Sequence, residues 1–294
     1  MEPLLIPVAP PASAVAVPRQ ASHDYELIAM WLHGRPETTR RAYQRHIGRF
    51  LAQTRKPLSH VTVGDVQAFA DSLAHLAPRS RNQGLSAVKS LLTYGQKIGY
   101  LTFNVGVVVK LEKVSNDLAQ RILPEDAVQR MLHTEKSPRN RAILRLFYGG
   151  GLRVSELVRL KWRDLQERDG GGQVAVFGKG GKTRHVLLSD AAWGELVKLR
   201  SGGQPDAPVF RSRRGGGHLN PSAAWRIVRK AAARAGVDGD VSPHWLRHAH
   251  ASHALERGAP VALVRDTLGH SSVSTTNGYL HARPNDSSAR YLAV

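Results

Sequence analysis

The run Ser242-Pro243-His244-Trp245-Leu246-Arg247-His248, followed by Leu268-Gly269-His270 and then Tyr279, decides how this chain is read. Pro243 suits the first position of a helix, and Ser242 suits the cap before it. His244 and Arg247 stand three residues apart and so share a helix face. With Gly151-Leu152-Arg153 upstream, the chain holds two arginines, several histidines and a tyrosine in ordered motifs. A tyrosine hydroxyl can attack a phosphodiester. The pentavalent transition state carries negative charge on its non-bridging oxygens, and planar arginine forks suit that charge better than lysine does. Arg153 and Arg247 would form such a clamp, fixed before the reaction begins. A free tyrosine has a pKa of about 10 and needs help to lose its proton. Histidine moves protons near neutral pH.

His244 and His248 also stand four apart, a spacing that serves zinc. A zinc protease would need a glutamate straight after the first histidine, and Trp245 is there, so no metal is expected. His250 and His253 read as structural.

The chain has 294 residues, room for two domains with separate cores. Its net charge of +19 and pI near 10.9 point to a polyanion, with nucleic acid the default and an anionic membrane surface the other candidate. No apolar run is long enough to span a membrane. Cysteine is absent, so disulfides, thiolate metal sites and a thiol nucleophile are excluded. Residues 1–21 are rich in Pro, Ala and Val without a basic start, and read as a disordered tail rather than a secretory signal. The expected location is the cytoplasm, at the nucleoid.

Four motifs carry a resemblance: Gly-Leu-Arg-Val-Ser-Glu-Leu at 151–157, Gly-Lys-Gly-Gly-Lys at 178–182, Ser-Pro-His-Trp-Leu-Arg-His at 242–248, and Leu-Gly-His with Tyr279 nine residues after His270. In this order the chain resembles the tyrosine recombinases of the phage integrase family, its Xer-type members most, from about Ser22 to the end. The resemblance implies a mainly α fold with a small β-sheet. It implies an N-terminal four-helix, SAM-like core-binding domain at 22–106, a linker at 107–121 and a catalytic domain at 122–294, closing on DNA as a C-shaped clamp. It implies that Tyr279 becomes a 3′-phosphotyrosine while Arg153, Arg247 and His270 hold the phosphate. His244 would assist the nucleophile and Glu156 would orient Arg153. Lys179 would protonate the 5′-hydroxyl leaving group, with Lys182 its rival for that role. No cofactor is implied. The implied partners are double-stranded DNA with an inverted-repeat site and a homotetramer, or a heterotetramer with a related recombinase, on two sites. A type IB topoisomerase-like activity and a non-catalytic DNA-binding protein on the same fold stay open.

Residues 22–105 read as helices at 3.6-residue spacing, with Val66 and Phe69 on one buried face and Leu85, Val88, Leu91 and Leu92 on another. Tyr25 and Tyr43 are expected in that core. Arg41, Arg45 and Arg49 recur every four residues and read as a phosphate-facing stripe. Arg81, Ser86 and Lys89 lie on one side of the fourth helix, either an ordinary solvated face or one that enters a major groove. In the second half the reading gives helices at 125–133, 140–148, 154–160, 189–200, 220–235, 243 onward and 261–268. A single β-hairpin is read at 173–188 with a cationic glycine-rich tip. Three glycines, 149–151, predict a loose turn before Arg153. Arg213, Arg226 and Lys230 read as further DNA-facing cations. Gly278 replaces the bulkier residue that many relatives carry and should let Tyr279 move. The tail from 280 is expected to pack on a neighbouring protomer.

Overall fold

In the computed structural model the described residues are 20–113, 118–178, 181, 183–200, 202, 204–213, 215–270 and 272–282. The chain divides between Ser115 and Asn116 into two compact units.

The first unit holds α1 (Asp24–Leu32), α2 (Glu37–Thr54), α3 (Val63–Ser72) and α4 (Pro78–Lys97). Each begins where local chemistry favours it. Thr62 caps α3 in a reciprocal box with Asp65, and Pro78 opens α4. Apolar residues at helical spacing meet inside. Phe50 and Phe69 pack edge to face at 5.2 Å, among Leu27, Ile47, Val66, Val88 and Leu91. Asp24 ties distant segments together, accepting from the Leu58 amide at 2.9 Å and the Tyr100 hydroxyl at 2.7 Å. Tyr43 stacks on Trp31 at 4.9 Å, but Tyr25 does not join the core and is 80% exposed. It sits two residues before Leu27, roughly 200° around the helix from the buried stripe.

The second unit is a helical layer around a small antiparallel sheet. Its elements are α5 (Glu125–Thr134), α6 (Pro138–Tyr148), α7 (Val154–Leu157), β1 (Leu165–Arg168), β2 (Gly171–Phe177) and β3 (Thr183–Ser189). There follow α8 (Asp190–Lys198), α9 (Pro221–Arg234), α10 (Pro243–Glu256), α11 (Val261–Leu268) and α12 (Val273–Ala282). The sheet runs β1-β2-β3, with Leu165 opposite Val174 and Val174 opposite Val186. β1 is an addition to the hairpin read from sequence; Leu-Gln-Glu-Arg lacks the apolar alternation that marks a strand. Gly172 lets Trp193 lie on the sheet, since a Cβ there would fall 2.0 Å from the indole. The helix expected at 154–160 ends at Leu157. Beyond it Arg159 and Leu160 bond back three residues, a tightened last turn.

Helix α10 is the hinge of this unit's packing. Leu246 and Ala249 enter the main core with Phe147, Leu157, Val174 and Val228. On another side Ala251 meets Val264, Leu268 and Tyr279. The same helix thus supports the core and holds α11 and α12.

Candidate active site

Arg153 stands at the N-cap of α7. Glu156, at the third helical position, reaches back to it. One carboxylate oxygen accepts from the Arg153 amide at 2.7 Å and the other from its guanidinium at 2.9 Å. A second arginine closes the carboxylate: Arg184 on β3 donates to both Glu156 oxygens at 2.9 Å each. Burial pushes the Glu156 carboxyl up, but hydrogen bonds from Arg184 and Arg153 outweigh burial and hold it below its ordinary value. The carboxylate stays charged and fixes both forks. No sequence motif picks out Arg184; it is one basic residue among many, on a strand far from Glu156 in the chain.

The turn at 149–151 is closely packed, not loose. A Cβ on Gly150 would lie 2.6 Å from Leu152, and one on Gly151 would lie 2.7 Å from Leu268 and 3.1 Å from His250. Gly151 also has φ +57, which costs any other residue. This geometry aims the Gly151 carbonyl at buried Arg247, which donates to it and, at 2.6 Å, to Leu268 O. Arg184 donates to Thr267 O at 2.7 Å and Arg153 to Gly269 O at 2.9 Å. Three consecutive carbonyls at the end of α11 are therefore each held by a different arginine. Carbonyls at a helix C-terminus lack intrahelical partners and carry the negative end of the helix dipole, so they attract cations. Burial and the nearby Arg153 push the Arg247 guanidinium down to about 9, still above neutrality, so it remains a cation.

His270 follows Gly269 directly, and Tyr279 follows on α12. Tyr279 is buried, and its hydroxyl lies 2.7 Å from His248 Nδ1. His270 stacks parallel to the tyrosine ring at 6.3 Å, with its Nδ1 2.9 Å from Thr276 Oγ1. His244 lies one helical turn before His248, ring centroids 6.5 Å apart. Burial pushes the Tyr279 hydroxyl up, while Arg247 and Arg153 pull the other way. Burial is the first cause lowering all three histidines, followed by Arg247 and Arg153 at His244 and His270, and by His244 and Arg247 at His248: His244 falls below its ordinary value, and His248 and His270 fall to about 4. All three rings are neutral at pH 7. His250 and His253 hold Tyr148, at 2.7 Å through its carbonyl and 3.0 Å through its hydroxyl. His248 is the contact that motif reading missed; its four-residue offset from His244 was the available signal.

The assembled groups are two fixed cations, neutral imidazoles and a buried phenol, a set able to bind an oxyanion beside a nucleophile. The phage integrase family model matches residues 121–286, and the model of the phage integrase N-terminal SAM-like domain matches residues 32–97. The chain belongs to the phage integrase family. Tyrosine recombinase XerC of Xanthomonas campestris pv. campestris is 34% identical over 251 residues, covering 82% of this chain and 77% of that one. Tyrosine recombinase XerA of Pyrococcus horikoshii is 32% identical over 257 residues, 84% of each chain. The fold is that of XerH site-specific recombinase bound to palindromic difH substrate, with TM-score 0.70, 20% identity and coverage of 89% and 82%. It is also that of a lambda integrase tetramer bound to a Holliday junction, with TM-score 0.71, 19% identity and coverage of 91% and 80%.

The other residues singled out in this family member divide into several groups. Arg41, Arg45 and Arg49 are exposed on α2, with Arg41 paired to Glu37 at 2.7 Å. Arg213, Arg226 and Lys230 are exposed in the second unit. Ser86 is half-buried on α4. Arg81 pairs with Glu112 at 2.8 Å, and the Lys89 ammonium donates to the carbonyls of Gly106, at 2.6 Å, and Val109. Both cations thus hold the chain's own segment after α4. Lys179, Lys182, residues 1–19 and the tail from 283 lie outside the described residues.

Proposed function

We propose that this family member is a site-specific DNA recombinase whose nucleophile is Tyr279. The Tyr279 oxygen bonds to a DNA phosphorus, the P–O5′ bond breaks, and a 3′-phosphotyrosine forms. Arg153, Arg247 and His270 hold the non-bridging oxygens, and Glu156 orients Arg153. His244 assists at the nucleophile, and Lys179 protonates the leaving 5′ oxygen. The 5′-hydroxyl of a partner strand then attacks the phosphotyrosine, exchanging strands through a Holliday junction. The energy of the broken bond is kept in the tyrosyl ester, so the chemistry needs neither ATP nor a metal.

The supporting observation is the α11 C-terminus. Its carbonyls fix Arg153 and Arg247 beside the point from which His270 and Tyr279 follow. Charge-stabilising donors held this way before reaction are worth about 10²–10³ in rate each.

In this reading residues 22–106 grip DNA through Arg41, Arg45 and Arg49, residues 107–121 link, and residues 122–294 cut. Arg213, Arg226 and Lys230 would meet the backbone. The substrate is duplex DNA with an inverted-repeat site, held by four protomers as in the lambda integrase tetramer, at the nucleoid of the cytoplasm.

Covalent capture from cells tests the reading. Wild type and Tyr279→Phe are expressed, denatured, and the DNA still attached to protein is sequenced at its ends. Adducts only in wild type, clustered at one short inverted repeat, are expected. Adducts persisting in Tyr279→Phe would overturn the nucleophile, and adducts scattered over the genome would replace recombination with topoisomerase-like relaxation.

A further inference from the structure

We propose that His248 takes the proton of Tyr279 as the tyrosine attacks, which makes it a catalytic residue of this reaction; this rests on Tyr279 being the nucleophile. A buried phenol must shed its proton as the O–P bond forms, and the acceptor has to lie within hydrogen-bond reach of the oxygen. His248 Nδ1 lies there, at 2.7 Å. Of the two family histidines neither lies in hydrogen-bond contact with the Tyr279 hydroxyl, and His244 assists from beside His248. His270 runs parallel to the phenol ring with centroids 6.3 Å apart and its Nδ1 engaged by Thr276, and His244 is a further ring away along α10. The four-residue step between His244 and His248 puts both on one side of α10, with His248 facing the tyrosine.

The groups acting on His248 come from every element around it: His244 and Arg247 on α10, Arg121 before α5, His270 after α11, and Tyr279 itself on α12. Burial first, then the neighbouring charges on α10 and Arg121, keep the ring neutral at pH 7, and only a neutral ring has a lone pair to receive a proton. A phosphodiester bound between Arg153 and Arg247 adds negative charge and favours the imidazolium that forms.

The step balances. The Tyr279 O–H bond breaks as the O–P bond forms, and that proton goes to His248 Nδ1. The P–O5′ bond breaks, and the 5′ oxygen takes a separate proton from Lys179. In ligation His248 returns its proton to the departing tyrosine.

The test uses the full chain and a nicked oligonucleotide duplex carrying the site recovered by covalent capture. His248→Asn is the decisive variant, because its side-chain oxygen can accept the tyrosine's hydrogen bond near the Nδ1 position but cannot take the proton. DNA binding should persist while single-turnover cleavage falls about 10²–10⁴-fold, the usual worth of a positioned base. The fall in cleavage rate at acidic pH should disappear with it. Nitrogen NMR of the DNA-free protein should show His248 Nδ1 unprotonated, and that signal should shift in Tyr279→Phe. Three results would overturn the role: His248→Asn cleaving at the wild-type rate with an unchanged pH profile, cleavage increasing, or Nδ1 carrying the proton. A wild type that forms no Tyr279 adduct overturns the nucleophile assignment itself, which is a separate outcome from adducts that survive in His248→Asn.

Discussion

Arg184 grips Glu156 with two parallel hydrogen bonds of 2.9 Å, and through that carboxylate it holds Arg153. The same guanidinium reaches Thr267 at the end of α11. It joins β3, α7 and α11 at one point. Its chemistry is that of a positioning residue, since it acts on Arg153 through Glu156 and on the end of α11 through Thr267.

Replacing Arg184 therefore affects both stability and rate. Arg184→Ala leaves a buried carboxylate with one arginine in place of two. Breaking a buried pair costs about 3 kcal/mol at the lower end, and Arg153 remains to limit the loss. Arg184→Lys cannot restore the fork and should recover little. Urea unfolding and single-turnover cleavage check this; a lysine variant equal to wild type in both would refute the bidentate role.

Gly151 and Gly278 should respond oppositely to alanine. Gly151→Ala meets Leu268 and His250 at a positive φ, so it should destabilise by about 1–2 kcal/mol from backbone strain alone. It should also reduce cleavage more than binding, because the Gly151 carbonyl holds Arg247. A Cβ on Gly278 would meet nothing nearer than Leu118 at 3.8 Å, and helix α12 favours alanine by about 0.5–1 kcal/mol. A Gly278→Ala protein that melts higher yet cleaves slowly would show that the glycine serves movement of Tyr279.

The depressed histidines set a pH window for stability. His248 and His270 have pKa values of about 4 in the fold against 6.5 unfolded. Between these values the unfolded chain binds protons that the fold does not, so stability rises with pH there. The contribution is complete above about pH 6.5 and is lost as pH falls through about 4. Urea midpoints measured from pH 7 to pH 4 should fall steadily, and His248→Asn should flatten part of that slope.

Salt should weaken DNA binding steeply, by powers of ten between about 50 and 200 mM, through counterion release. Replacing exposed Arg41, Arg45 and Arg49 together with alanine should lower the salt slope and leave the melting temperature nearly unchanged. Lys89→Ala should do the reverse, because its ammonium holds the Gly106 and Val109 carbonyls. A Lys89→Ala protein with normal stability and a reduced salt slope would return Lys89 to the DNA surface.

Much of this molecule was legible in the linear chain. Apolar residues at helical spacing, the Thr62 cap, Pro78 and Pro243 at helix starts and Gly269 at a helix end all act through near neighbours, so pattern alone locates their helices. Arg153, Arg247, His270 and Tyr279 could be singled out as candidates because each side chain's chemistry belongs to its own residue, and the fold brings them together. Tertiary structure decided who touches whom. Arg184 meets Glu156 across 28 residues and His248 meets Tyr279 across 31, and no local period encodes either contact. Packing also decided that Lys89 serves its own chain, that Tyr25 faces outward and that the glycine turn is tight. A side chain's reach and burial depend on what the folded backbone brings beside it, and that is set by contacts between segments distant in sequence.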